Sequence, residues 1–461
     1  MTSHSLALEA VLRSGPKTAA ELAASVGISQ PTVSRALADL GPKLIRIGRA
    51  RATRYALARP IGRMGSTWPL HRITGDGQPD LLGQLHSLHG GWFLQSTRPL
   101  PLYQHDEFND GLYPDLPWFL DDARPQGYLG RAFVRRHAAD LNAPDDLNRW
   151  QAEDVVTALL RQGDDLPGDL VLGEQALESA LASTVFDNLD TIIPADLSEY
   201  HYPGLAERAE AGDAVGSSAG GEQPKFTAEL ETSRGERRCV IVKFSRHNPD
   251  NAAARRWTNL LACEHLANRV LNERGIATAN TRVIDHDGWR FLESERFDRT
   301  LQRGRCGLVS LRALDAAYVG NDPNDWPGSA EALLRLGMLE AADAERIHKL
   351  HLFGRFIGNT DMHSGNLSFL VDPDRLQVRL APIYDMLPMH YRPGAGGEIH
   401  ERPLVPPLAI SAAERWRWAA DAAQAFWSAV AADAGIGPAF RAIAEQNLDK
   451  VVTVLQRFGS R

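Results

Sequence analysis

Residues 351–372 read HLFGRFIGNTDMHSGNLSFLVD and set Asp361, His363 and Asn366 within six positions, between a helix-like approach and an apolar exit. Such a loop constrains the fold, because polar side chains crowded on one turn need fixed partners from elsewhere in the chain. Asp361 can orient a hydroxyl or accept its proton, and Asn366 can offer an oxygen to a cation. The next stretch, LSFLVDPDRLQVRLAPIYD, reads as a hairpin around DPD that returns Asp385 to the same neighbourhood. Asp385 is a second candidate metal ligand, 19 positions beyond Asn366.

The five-residue step from Asp361 to Asn366 matches the D-x-x-x-x-N spacing of a phosphoryl-transfer loop. That chemistry also needs a phosphate cradle and a positive charge. DAVGSSAGGEQPKF supplies Gly216, Gly220 and Gly221 with neighbouring serines, a composition that lets backbone N–H groups approach phosphate. An ordinary Gly/Ser hairpin loop has the same composition. The β-prone run CVIVKFS then carries Lys243. A helix is expected over about 251–274, with Glu264 either facing inward to pair with Lys243 or standing on the surface. WRFLESERFDRT reads as a strand with a polar exit, where Glu295 to Phe297 could flank an adenine. His363 lacks the companion histidines of a metal hydrolase, so support of the loop is its expected role.

At 461 residues the chain is expected to hold two or three domains. A 43% hydrophobic, 23% charged composition is globular. Cys239, Cys263 and Cys306 are far apart and form no metal or disulfide pattern. No signal peptide or long apolar run is evident, so a cytoplasmic protein without membrane contact is expected.

Net charge is −8, yet residues 1–60 hold nine Lys/Arg against three Asp/Glu, or +6, leaving −14 for the rest. Any nucleic-acid contact therefore belongs to the head. Leu6, Leu8, Val11 and Leu12 mark a first helix. Thr18 and Glu21 form a capping-box pattern for a second, which stops at Gly27. A third begins at Ser29 with Pro31 in its first turn, carries Val33, Leu37 and Leu40 on one face, and stops at Gly41. The short turn between the last two suits a helix-turn-helix. Ser29, Gln30, Thr32, Ser34 and Arg35 would meet duplex DNA. Arg49, Arg51 and Arg54, around a basic turn resembling a β-wing, would reach phosphates. A winged helix that docks protein is the alternative.

Residues 61–175 show no sustained period, although Trp118, Phe119, Tyr128 and Phe133 could form a small core. QAEDVVTALLRQ (151–162) is an amphipathic helix. The C-terminal third reads as helical, with Trp416, Trp418 and Phe426 as core residues.

SSAGGEQPKF, IVKF, ERFDR, GNTDMHSGN and LAPIYDMLP occur in this order across 213–390. Together they resemble the HipA family of bacterial serine/threonine kinases, especially its YjjJ-like members with a fused N-terminal helix-turn-helix. YPDLPWFLDDARPQGYLGR is more loosely similar to the family's N-terminal subdomain. The resemblance implies an α+β, two-lobed, protein-kinase-like fold behind a winged helix-turn-helix. Its expected parts are a head over 1–60, an N-terminal subdomain over 61–175, a small lobe over 176–300 and a helical catalytic lobe over 301–461. It implies a toxin–antitoxin kinase using ATP and Mg2+. Ser218, Gly220, Gly221 and Lys243 would hold the nucleotide phosphates, and Glu295 to Phe297 would form the hinge. Asp361 would be the catalytic aspartate, with Asn366 in the catalytic loop and, with Asp385, at the metal. Ser218, or its neighbour Ser217, would be an inhibitory autophosphorylation site. The family's targets point to an aminoacyl-tRNA synthetase or another translation protein as substrate. The fused head departs from the family's usual separate DNA-binding partner and puts the need for an antitoxin in doubt. A homodimer stays open. A small-molecule phosphotransferase and a kinase-like transcriptional regulator without phosphotransfer remain the alternative functions.

Overall fold

The computed structural model describes residues 2–185, 192–212, 223–248, 250–400, 402–408 and 413–458, apart from the side chains of Arg51 and residues 183–185. Three helices, Ser3–Leu12, Ala19–Val26 and Gln30–Ala38, form the head. Thr18 and Glu21 close a reciprocal capping box, and Gly27 ends that helix in the left-handed conformation. Leu8, Leu12, Leu22, Val33, Leu37 and Leu40 share one core. Leu6 does not join it and is 57% exposed. Ser5 takes the inward place instead, donating to Asp39 at 3.0 Å. The third helix stops at Ala38, and Gly41 opens a short 3-10 turn. Strands Leu44–Ile47 and Arg54–Leu57 make the wing, with Lys17–Thr18 as its third strand.

The wing does not project freely. Ile47 and Ala56 pack with Leu88 and Phe93 of the next domain. The Arg59 N–H donates to the Ser87 carbonyl, and the His89 N–H to the Leu57 carbonyl, both at 2.9 Å. A shared core and a continued ladder join head and body.

The middle domain is a five-stranded antiparallel sheet in the order Leu112–Tyr113, Gly91–Ser96, Pro79–Leu88, Thr67–Ile73, Leu170–Leu172. Its strands escaped the sequence reading because the register shifts at Leu70/His71, which breaks simple alternation. Trp118 and Phe119 are buried against Tyr103, whereas Tyr128 and Phe133 are only half-buried. Helix Glu174–Val185 packs Ala176, Leu177 and Ala180 onto Ile73 and Val171, so this domain's packing runs beyond residue 175.

The small lobe is a second five-stranded sheet, ordered Thr281–His286, Trp289–Glu295, Arg237–Arg246, Lys225–Glu231, Ile192–Pro194. Helix Ala252–Asn272 lies against it. The large lobe packs helices Ala341–Ile357, Ala413–Ala432 and Pro438–Phe458 around Phe353, Phe356, Trp416 and Phe426. Trp418 is half-buried, with the Lys349 ammonium 5.7 Å from its ring centre. A three-stranded sheet, Gly307–Ser310, Ser368–Val371 and Arg379–Leu380, contains the expected hairpin. Among the described residues, no helix is long and apolar enough to cross a membrane.

Candidate active site

Helix Ala341–Ile357 delivers the loop read first in the sequence. Gly358, at φ 76°, ends it in a left-handed cap that a side chain would strain. Inside the helix, a Cβ on Gly354 would lie 2.2 Å from the Met362 sulfur, so glycine lets the loop seat against the helix.

The loop is held by its own polar groups. Asn359 is buried; its side-chain oxygen accepts the Asp361 N–H at 3.0 Å, and its amide donates to the Asp385 carbonyl at 3.3 Å. It ties the two acidic positions together, a role that the sequence reading did not assign. The Asn366 amide donates to the Asp361 carbonyl at 2.8 Å, which leaves its side-chain oxygen as the group to offer a cation. His363 accepts the Gly365 N–H on Nδ1 at 3.1 Å, and its carbonyl accepts the Trp326 indole at 3.1 Å. Those bonds make it a brace of the loop, as expected.

Across the cleft, Lys243 donates to both Glu264 oxygens at 2.7 Å and also meets the Asp385 carboxylate. Glu264 therefore faces inward. Burial disfavours the Lys243 charge, but Asp385 and Glu264 outweigh it and raise the ammonium's pKa above its ordinary range. Burial pushes Glu264 up against the pull of Lys243. Asp385 moves down, because Lys243, Lys225 and His363 overcome its burial. Asp385 itself has φ 54°, a left-handed backbone that is uncommon outside glycine.

Lys225 is a second residue without a role in the sequence reading. It is buried and stands directly opposite Lys243 on the neighbouring antiparallel strand. Like charges in that register repel unless anions face them. Its signal was the lysine of GGEQPKF.

In the segment expected to form the hinge, the Glu295 carboxylate lies 3.4 Å from Arg238 and accepts from the Asn280 amide at 3.1 Å. Phe297 turns its ring toward Tyr384, 5.9 Å between centres. Its backbone N–H and carbonyl make no backbone hydrogen bond among the described residues. Ser217, Ser218, Gly220 and Gly221 lie outside the described residues.

Magnesium's preference for oxygen ligands fits Asn366 and Asp385. Among the described residues no three His, Cys, Asp or Glu side chains converge as a metal cage. An ion here would complete its shell with phosphate oxygens and water.

In the head, Ser29, Gln30, Ser34 and Arg35 are exposed on one helix and Thr32 is half-buried, bonded to Ser29 at 2.9 Å. Arg49 is exposed at the wing. The Arg51 side chain lies outside the description. Arg54 pairs with Asp110 of the middle domain at 3.2 Å, so it is held toward the body.

Comparison with known proteins agrees with this architecture. The family model of the HipA-like C-terminal domain matches residues 217–455, that of the YjjJ-like toxin middle domain residues 64–181, and that of the arsR family of bacterial regulatory proteins residues 6–41. Toxin YjjJ of Escherichia coli K12 is 37% identical over 444 residues, 96% of each chain. Among solved structures, the Shewanella oneidensis HipA, HipB and operator DNA complex has a chain that matches with TM-score 0.50 at 14% identity. The match covers 85% of this chain and 97% of that one. The Helicobacter pylori proinflammatory kinase CtkA matches over 51% of this chain and 89% of its own at TM-score 0.34 and 14% identity. A HipA-like domain over more than half the chain and near full-length identity to a YjjJ toxin identify the protein as a member of the HipA-like toxin family, in its YjjJ-like branch with an N-terminal helix-turn-helix.

Proposed function

We propose that the protein is a Mg-ATP-dependent serine/threonine protein kinase of toxin type whose fused head binds duplex DNA. The observation that carries this reading is the convergence of Lys243, Glu264 and Asp385 on the cleft lined by the Asp361–Asn366 loop. Two buried lysines in cross-strand register add a pull toward phosphate. Asp361 would align a substrate hydroxyl and accept its proton as the oxygen bonds to the terminal phosphorus. The bond from that phosphorus to the bridging oxygen breaks, and ADP leaves. Lys243 and Lys225 would balance charge on the phosphates. Magnesium, held by Asn366 and Asp385, would supply further charge neutralisation there.

Purified protein should transfer the terminal phosphate of ATP to itself or to a protein, and Asp361→Ala should abolish transfer with the fold intact. Equal transfer by both would reject the kinase reading, and DNA binding without turnover would favour the regulator. Product identification separates a protein kinase from a small-molecule phosphotransferase. An aminoacyl-tRNA synthetase is the first protein substrate to try. Ser218, or Ser217, is the expected autophosphorylation site; phosphate there adds roughly −1.5 to −2 charge beside the nucleotide. Phosphosite mapping after Mg-ATP incubation decides between the two serines.

The head would present Ser29, Gln30, Thr32, Ser34 and Arg35 to bases and Arg49 and Arg51 to phosphates. Arg54 contributes less, being paired with Asp110. Affinity for duplex DNA selected from genomic fragments should fall as salt rises.

A further inference from the structure

The hinge has a second side. Arg296 and Asp298 are buried, with their side chains turned away from the cleft into a contact with the middle domain, whereas Phe297 between them faces Tyr384. Arg296 binds Asp298 at 3.0 and 2.9 Å and Asp165 at 2.9 Å. Arg299 binds the same Asp165 oxygen at 2.8 Å and the Leu166 and Gly168 carbonyls at 2.6 and 3.0 Å. The Gly168 N–H returns a bond to Asp298 at 2.9 Å. Arg305 reaches the Asp164 carbonyl. A loop more than a hundred residues away in sequence therefore meets the hinge through directional, charge-assisted bonds.

We propose that the middle-domain loop 164–169 is a positioning element of the nucleotide site: Asp165, acting through Arg296 and Arg299, sets the hinge whose other side presents Phe297 to the adenine. The inference rests on the kinase reading and adds that the middle domain is part of the ATP site rather than an appendage. Arg296 grips Asp298 at two points, and one Asp165 oxygen accepts from both Arg296 and Arg299, so Asp165 anchors how the segment from Glu295 to Phe297 is aimed. Asp165 touches no nucleotide and acts through other residues. Its loss should show in nucleotide affinity rather than in the transfer step.

The test uses the full-length protein, Mg-ATP titration calorimetry and phosphotransfer kinetics. Asp165→Asn should raise both the Kd and the KM for ATP about tenfold while kcat stays within about twofold. Asp165→Glu, which restores the charge, should recover part of the affinity. Arg98→Ala controls for general loosening, because it breaks a different middle-domain contact, to Asp374 on the hairpin. It should lower Tm and leave ATP affinity unchanged. In the wild type, Mg-ATP should slow amide hydrogen exchange within 164–169, a readout that survives if Asp165→Asn fails to fold. Unchanged affinity in Asp165→Asn, an equal rise in Arg98→Ala, or unchanged protection of the loop would overturn the inference. A wild type that binds no Mg-ATP would instead overturn the kinase reading, and the inference with it.

Discussion

Two clusters of buried charge face opposite ways in this protein, and they are satisfied differently. At the cleft, the Lys243 ammonium is shared between the Glu264 and Asp385 carboxylates, and one backbone group joins them, the Asp385 N–H that donates to Glu264 at 3.3 Å. Behind the hinge, Arg296 and Arg299 take two carboxylates and also backbone carbonyls at Leu166 and Gly168. Backbone partners cannot swing away, so the rear cluster acts as a rivet. The cleft cluster is made of groups that can exchange one partner for a phosphate or a cation. There, burial leaves Glu264 with a raised pKa. Behind the hinge, Arg296 and Arg299 overcome burial and hold the Asp298 carboxyl far below its ordinary range. A buried charge with enough fixed donors serves rigidity, and one with few serves chemistry.

The sharpest way to break this contrast is at Lys243. Lys243→Met should cut phosphotransfer at least about a hundredfold. It should also cost roughly 3–5 kcal/mol, because Glu264 and Asp385 then lose the one ammonium that bonds both. Adding Glu264→Leu should restore most of the melting temperature and none of the rate. Recovery of the rate would show that the cleft cluster is structural.

Next in size is Arg296→Leu. It takes one of two arginines from Asp165 and Asp298, which both keep Arg299, so its stability loss in urea unfolding should fall below that of Lys243→Met, at about 3 kcal/mol or less. The loss in kcat at saturating ATP should be much smaller. The reverse order of rate losses would erase the distinction between rivet and reactive cluster.

Asp169 measures how far the arginines' field reaches. Burial pushes its carboxyl up to about 7, although Arg72, Arg305 and Arg299 pull the other way. The folded state therefore holds a proton that the unfolded chain releases near its ordinary carboxylate pKa. The stability linked to that proton is full below about pH 4 and falls as pH rises through about 7, by at most roughly 1.4 kcal/mol per unit. Asp169→Asn should raise Tm at pH 8 and change it little at pH 4. An equal effect at both would contradict the shift.

The smallest effect belongs to an exposed pair. Arg54 and Asp110 are 48% and 30% exposed, so Arg54→Ala should change stability by less than about 0.5 kcal/mol. It should also weaken DNA binding less than Arg35→Ala in a salt-titrated assay. A larger loss for Arg54→Ala would place that arginine on phosphate instead of on the body.

Local chemistry was enough to read much of this molecule. The Thr18–Glu21 capping box, the helix over 252–272, the hairpin around DPD and the Asp361-to-Asn366 spacing are short-range patterns, set by neighbours within a few turns. The head's core at Val33, Leu37 and Leu40 follows from helical periodicity. The middle sheet was hidden because a register shift at Leu70/His71 breaks the alternation that marks a strand. Leu6 was misplaced because a serine with two polar partners occupies the inward position that apolar patterning would give to leucine.

By itself, then, the sequence determined the order of the candidate site residues and the chemistry each can offer, since a lysine in a β-prone run and a carboxylate in a tight loop carry their chemistry wherever they sit. Only the tertiary structure decided that Lys225 stands opposite Lys243, that Asn359 joins Asp361 to Asp385, and that Asp165 meets the hinge. Each of these depends on register or on the packing of segments far apart in the chain. Such contacts form only when burial of many distant apolar side chains has already brought the backbone together, and no local pattern records them.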